Sequence, residues 1–206
     1  GGGPASAPKN NMDIVNGAGE KAFFKAVHEQ LRKSAEFFKQ EEENFMVRRL
    51  RIREGLRQLT DPGYLSQDAS ATQLLKACVS LYKQLIMLEN YAVMTTTAFA
   101  KILKKHDKVT KYNTKVHFMK NVVATMSFSR YPRLKQMLAD SEADYQAIRK
   151  LQLPLREEKE SADSAHVGER AVNGESEIQM LRELNKEFKN SDEFKEHNGY
   201  NTTDHD

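Results

Sequence analysis

The run Phe99-Ala-Lys-Ile-Leu-Lys-Lys-His-Asp-Lys108 has residues spaced as in an α-helix and an unusually high content of lysine. Its lysines recur at i, i+3, i+4 and i+7, a spacing that places all of them on one face of an α-helix. They are Lys101, Lys104, Lys105 and Lys108. Like charges at this spacing repel by roughly 0.2–0.5 kcal/mol per pair in an isolated helix. Such a face indicates a binding site for a densely charged anion, although a solvated polar helix surface would also explain it.

The positive charge is concentrated in one part of the chain. Residues 101–120 contain seven lysines and one acidic residue, Asp107, whereas the whole chain of 206 residues has a formal net charge of only +3. A solubilising helix surface usually alternates the two signs of charge. The concentration therefore strengthens the case for a polyanion ligand.

The apolar residues around the lysines predict two consecutive helices. Phe99, Ile102 and Leu103 have helical spacing and should be buried while the lysines face water. Three threonines at 95–97 can cap a helix start, since a hydroxyl there accepts a free backbone N–H. We therefore predict a helix over about 70–93, a short break near 94–96 and a lysine-bearing helix over about 97–108.

An earlier segment, residues 20–59, predicts one long helix of about 60 Å at roughly 1.5 Å per residue. Its apolar positions form a near-heptad stripe. The stripe comprises Val27, Leu31, Ser34, Phe38, Phe45, Ile52, Leu56 and Leu59. The following Asp61-Pro62-Gly63 is a turn signal.

The second half of the chain predicts further helices. Residues 115–126 are amphipathic, and a helix with Pro132 in its first turn and Ser129 as its cap should continue to near Leu151, with Pro154 ending it. A modest helix is expected at 176–189. The fold class is therefore all-α, an extended helical bundle with two long core helices.

Composition divides the chain into three parts. Residues 1–19 are predicted to be a disordered linker, 20–153 a helical domain, and 154–206 an acidic linker with one short helix. Acidic residues outnumber basic ones by 14 to 7 after position 155. This acidic tail could fold over the lysines as an intramolecular competitor, which we state as a hypothesis.

Other residue types suggest no catalytic or metal chemistry. The six histidines are scattered without metal-ligand spacing, His106 is expected to be a surface or packing residue, and no nucleophile or phosphate-loop motif appears, so the chain is not predicted to be an enzyme. The single cysteine, Cys78, is expected to be a core residue in a reducing compartment. The arginines at 48–53 could contact phosphate, but the leucine and isoleucine between them favour a helix surface with apolar side-chain stems. No segment is apolar enough to span a membrane. We predict a cytoplasmic location, with the cytosolic face of a membrane or the nucleus as alternatives that depend on the parent protein.

The run from Leu88-Glu-Asn-Tyr91 to Lys108 resembles the SPX domain, a helical phosphate-status sensor of eukaryotes. The segment 101–108 fits the family pattern completely, whereas Ala98 stands where glycine is usual and Thr95 where asparagine is usual. Residues 23–43 are similar to the family's long central helix. The resemblance covers roughly two-thirds of the chain.

The resemblance implies a ligand and a role for each lysine. SPX domains bind inositol polyphosphates and pyrophosphates on a basic surface. In that pattern Lys105 contributes to a phosphate-binding cluster, and Lys101, Lys104 and Lys108 form a neighbouring lysine surface. No cofactor is implied beyond this ligand. The partner would be a protein or a fused output domain. Nucleic-acid binding through the same lysines is a further interpretation, which we do not favour because this face offers neither interleaved aromatic residues nor arginine.

One part of the family pattern has no match. The N-terminal helical hairpin of SPX domains, with its Tyr-x-x-x-Lys pair, has no counterpart before Phe23. We therefore expect a fragment with part of the ligand site absent, and weaker, less selective binding. The alternative function is a helical coiled-coil scaffold or protein-interaction module without a small-molecule ligand.

Overall fold

The structure is a computed structural model that describes residues 17–61, 67–162 and 174–190. All regular elements within these ranges are helical, which confirms the predicted all-α bundle. The α-helices are α1 (Ala18–Leu59), α2 (Gln67–Thr110), α3 (Lys115–Asn121), α4 (Ser127–Arg130), α5 (Pro132–Ala162) and α6 (Gly174–Asn190), and a short 3₁₀ helix, Val123–Thr125, lies between α3 and α4. Most of the predicted linker at 1–19 and most of the tail lie outside the described residues.

Helix α1 is organised by its heptad stripe. From Leu31 onward a buried apolar residue recurs every seventh position as far as Leu59, with Phe38 fully buried. A seven-residue repeat keeps one seam of a helix facing its neighbours over its whole length. This seam explains how a 42-residue helix stays attached to the bundle from end to end.

Helices α1 and α2 run antiparallel. Glu20, near the start of α1, contacts His106 near the end of α2, whereas Arg48, later in α1, contacts Gln84 earlier in α2. Near the far end a Cβ added to Gly55 would lie 2.8 Å from a methyl carbon of Leu74, so glycine allows the two helices to approach closely there.

Helix α2 is continuous, and the predicted break near 94–96 is wrong. The segment contains no glycine or proline, so nothing in its backbone interrupts the helix. The threonines are accommodated inside the helix instead of capping it. The Thr96 hydroxyl donates a hydrogen bond to the Ala92 carbonyl at 2.9 Å, which satisfies the side chain within one turn.

The boundaries of the later helices also differ from the prediction. Helix α3 ends at Asn121, several residues before the expected end at 126. Ser129 lies within α4 and donates to the Val123 carbonyl, so it does not cap α5. Helix α5 continues past Pro154 to Ala162. A proline removes one backbone donor and can kink a helix without ending it.

Helix α5 packs against both long helices, and α6 packs onto α2. Ile178 of α6 is buried, Asn185 donates to the Glu89 carboxylate at 2.9 Å, and Arg182 pairs with Glu142 of α5. The predicted helix at 176–189 is therefore present. The described part of the acidic tail docks at Glu89, twelve residues or about 18 Å along α2 from Lys101.

Candidate functional site

Four lysines of α2 form the candidate site. Lys101, Lys104, Lys105 and Lys108 are all exposed near the carboxyl end of the helix, and we refer to them as the lysine face. Because α2 is an uninterrupted helix here, the i, i+3, i+4, i+7 spacing brings the four Cα–Cβ bonds to one side. The helix therefore presents four cations to solvent.

The apolar residues behind the lysine face are mostly as predicted. Leu103 is fully buried and Phe99 is buried, so they anchor the helix to the core. The prediction that Ile102 is buried is wrong, since 44% of this residue is exposed. Ile102 precedes Lys105 by three residues and therefore lies nearly on the same side of the helix as that lysine.

Asp107 is committed to local structure. Its Oδ1 atom accepts hydrogen bonds from the Thr114 backbone N–H at 3.0 Å and from the Thr114 hydroxyl at 2.5 Å, and its Oδ2 atom accepts one from the Lys115 N–H at 2.8 Å. These donors lie at the start of α3, where backbone N–H groups have no intrahelical partner. Asp107 therefore caps α3 from the preceding helix and fixes the corner between α2 and α3.

The same hydrogen bonds lower the pKa of Asp107. Burial alone would raise the pKa of this carboxyl, but the hydrogen bonds from Thr114 and Lys115 outweigh it and leave the pKa lowered. A lowered pKa means that the folded state stabilises the charged form. The carboxylate therefore stays charged and bonded to α3 at neutral pH.

His106 holds the amino end of α1 against the lysine-bearing end of α2. The imidazole is buried, its Nε2 lies 2.9 Å from the Glu20 carboxylate, and its ring stacks on Phe23 with centroids 4.3 Å apart. The packing role expected for His106 is therefore confirmed. Glu20 and Phe23 were not predicted as its partners, because a separation of more than 80 residues leaves no local pattern to reveal them.

We expect Asp107→Ala to lower the free energy of unfolding by about 1–2 kcal/mol at pH 7, since it removes the cap of α3. The stabilisation depends on pH in a defined direction. A carboxyl with a lowered folded-state pKa stabilises the fold above its unfolded pKa of about 3.9, and this contribution is lost as the pH falls through the folded-state value. The difference between the two proteins should therefore shrink between about pH 5 and pH 3.

Urea denaturation of the native chain and the variant across this range measures that difference. Asp107→Asn is the matched control, because it keeps one acceptor oxygen but no charge, and it should lose less stability than alanine at pH 7. A difference that stayed constant from pH 7 to pH 3 would contradict a charged cap.

The arginines of α1 do not belong to the lysine face. Arg49 is ion-paired with Asp140 and Asp144 of α5, at 2.9 Å and 3.1 Å, and Arg48 is hydrogen-bonded to Gln84 of α2. The interpretation of this segment as a helix surface with apolar side-chain stems is wrong for these two residues. Their partners lie on α2 and α5, which are distant in sequence, so the local pattern could not reveal them. Arg48 and Arg49 hold helices together far from the lysines.

Metal binding, membrane spanning and thiol reactivity have little support within the described ranges. There, no group of three or more histidine, cysteine or carboxylate residues could hold a metal ion, and none of the helices is long and apolar enough to cross a membrane. Cys78 is buried, as predicted, and burial raises the pKa of its thiol to about 12. A thiol with such a pKa is unreactive near neutrality.

Comparison with known proteins identifies the lysine-bearing segment. Residues 60–122 match the SPX domain family model. These residues are therefore similar in sequence to SPX domains. The whole lysine face, together with His106, Asp107 and helix α3, lies inside the matched SPX segment, and the resemblance noted from the lysine motif is confirmed there.

Individual relatives extend the similarity beyond that segment. The chain is 27% identical over 133 residues to "SPX domain-containing protein 3" of Oryza sativa subsp. indica, a stretch covering 63% of the chain and 48% of that protein. It is 26% identical over 121 residues to "SPX domain-containing protein 1" of Arabidopsis thaliana, covering 59% and 45%. It is also 32% identical over 97 residues to "SPX and EXS domain-containing protein 1" of Dictyostelium discoideum, covering 47% and 10%. The aligned stretches span less than half the length of each relative, and no solved structure matches the chain.

Proposed function

We propose that this chain is a sensor module that binds inositol polyphosphates or pyrophosphates and regulates a fused domain or a partner protein in phosphate homeostasis. The observation that carries the proposal is the lysine face: four exposed lysines on one side of a rigid helix, within SPX sequence. The acidic residue between them, Asp107, directs its carboxylate oxygens to α3.

The chemistry of lysine suits this class of ligand. Each ammonium group is a compact point charge on a flexible stem, so several can converge on a multiply phosphorylated ring without requiring one fixed bidentate geometry. Neighbouring side chains at i, i+3 and i+4 have Cβ atoms only about 5–6 Å apart, which favours a dense anion over an isolated carboxylate. A bound polyphosphate would also relieve the repulsion among the lysines.

Ligand binding could be transmitted through the change in surface charge. Neutralising the lysine face changes which charged partner surfaces can dock there, and this gives the module an output without any catalytic group of its own. A fused output domain is consistent with the Dictyostelium relative, whose name includes a second domain beside SPX.

Calorimetric titration of inositol hexakisphosphate into the chain at about 150 mM salt tests the proposal, because surface attraction is screened beyond roughly 8 Å under these conditions. We expect saturable binding, and a loss of about tenfold in affinity for Lys105→Ala, equivalent to about 1.4 kcal/mol. Lys150→Ala is the matched control. This exposed lysine of α5 lies near the opposite end of the bundle, as the hydrogen bond between Gln152 and Thr72 shows, and its removal should leave affinity unchanged.

Two results would contradict the proposal. Failure of the native chain to bind would leave the alternative of a helical scaffold without a small-molecule ligand. Equal losses for Lys105→Ala and Lys150→Ala would show that affinity follows net charge and not a defined site. Circular dichroism of each variant confirms that the helices are retained.

A further inference from the structure

Lys111 has an unusual backbone conformation at the end of α2. It is the first residue after the helix, and its φ angle of 64° places it in the left-handed region. Its N–H group donates to the Asp107 carbonyl at 2.8 Å, so the residue ends the helix through a left-handed cap. Glycine usually occupies such caps, since a Cβ atom in this conformation crowds the following backbone.

The fold gives this lysine side chain no evident structural task. Lys111 is exposed, and among the described residues its side chain has no hydrogen-bond or ion-pair partner. The helix dipole favours a cation near the carboxyl end of α2, but Lys108 already occupies the last turn. For folding alone, glycine at position 111 would be the better residue.

The corner that contains Lys111 is held in place. Asp107, one turn earlier, accepts hydrogen bonds from Thr114 and Lys115 on the other side of the corner, so the left-handed residue lies between two fixed points. These hydrogen bonds restrain the backbone on both sides of the strained residue. Lys108 precedes Lys111 by three residues, which places the backbone of Lys111 beside the last cation of the lysine face.

We propose that Lys111 is a fifth phosphate-contacting lysine, which extends the lysine face around the corner between α2 and α3. This inference rests on the proposed function and adds a contact to it, a further phosphate group of the polyanion held beyond Lys108. Strained residues are retained where the surrounding structure holds them and where the side chain serves binding.

Three substitutions at position 111 separate the charge from the backbone conformation. Lys111→Gly removes both the charge and the strain, Lys111→Asn removes the charge while tolerating the left-handed region, and Lys111→Arg keeps both. Each variant of the 206-residue chain is examined by thermal unfolding and by titration with inositol hexakisphosphate at about 150 mM salt.

We expect the glycine variant to unfold about 2–4 °C higher than the native chain, because it relieves the left-handed strain, and to bind about three- to fivefold more weakly. The asparagine variant should show the same loss of affinity with a smaller rise in unfolding temperature. The arginine variant should match the native chain in both measurements. A variant that is more stable but binds more weakly indicates that the native residue contributes to binding at a cost in stability.

Several outcomes would overturn this assignment. If Lys111→Gly binds as tightly as the native chain while Lys105→Ala is weakened, Lys111 is outside the site and the proposed function still stands. If Lys111→Arg loses as much affinity as Lys111→Gly, the charge is not what matters. If the native chain does not bind, both proposals fail together.

Discussion

Replacing Asp144 with alanine is expected to lower the free energy of unfolding by about 1.5–3 kcal/mol, because it removes a charged hydrogen bond to Arg49 and leaves this largely buried arginine only the more exposed Asp140. Asp144 lies on α5 with 12% of its side chain exposed, and Arg49 on α1 with 17% exposed. The two residues are 95 positions apart in sequence, and their pair joins α1 to α5. Such a loss is a large fraction of the 5–15 kcal/mol that stabilises a typical domain.

The size of the effect comes from desolvation more than from attraction. Burial raises the pKa of Asp144 even though Arg49 and Arg53 both act to lower it, so removal from water outweighs the attraction of the two cations. A pair of this kind adds little net stability relative to an apolar pair. Removing one partner is costly because the remaining charge stays in a poorly hydrated place.

Urea unfolding of three variants tests this account. Asp140→Ala is the milder control, since Asp140 is more exposed and its removal leaves Arg49 paired with Asp144. The double variant Arg49→Leu/Asp144→Leu should recover most of the stability lost by Asp144→Ala. A double variant as unstable as the single one would show that the loss of the Arg49–Asp144 pair, and not the incompletely paired charge of Arg49, controls stability.

A second large loss is expected for Leu103→Ala, about 2.7–5 kcal/mol, because it leaves a cavity in a fully buried part of the core. Leu103 lies between the lysines in sequence but on the opposite side of α2. The variant should therefore weaken the attachment of the lysine face to the bundle without removing any of its charges.

The neighbouring residue provides the matched comparison. Ile102→Ala should cost less than about 1 kcal/mol, since 44% of Ile102 is already exposed. Thermal or urea unfolding of the two variants measures the difference. Similar losses at the two positions would mean that α2 is rotated relative to the orientation described above.

The sequence was sufficient to predict elements that depend on a repeated pattern. The seven-residue repeat of α1 is visible from Leu31 to Leu59, and the structure buries that stripe. Regular apolar spacing constrains which side of a helix faces its neighbours, so such predictions need no knowledge of tertiary structure. The exposed positions of the four lysines follow from the same reasoning applied to α2.

Helix ends were harder to predict because they depend on contacts that are not local. A threonine such as Thr96 can cap a helix, but its hydroxyl bonds within α2. Pro154 is a predicted helix end, but α5 continues past it. Propensities at single residues are weak compared with the packing of a long amphipathic helix. Helix existence was therefore predicted better than helix length.

In the candidate site, too, the local features were predictable from the sequence and the long-range contacts were not. Its lysines were found from spacing within ten residues, whereas Glu20 meets His106 across 86 positions and the cap by Asp107 depends on the corner before α3. Whether the lysines bind a polyphosphate stays a prediction. The contact between Glu20 and His106 depends on α1 and α2 lying side by side, which no local sequence pattern reveals.

The continuity of α2 restricts how a signal could travel through this protein. The lysine face and the contact of Glu89 with α6 lie on one uninterrupted helix, about 18 Å apart along its axis. A helix without proline, glycine or another break has no hinge between two such points. A ligand that tilts or twists the lysine end would move the α6 end with it, so α2 would act as a single lever and not as a jointed arm.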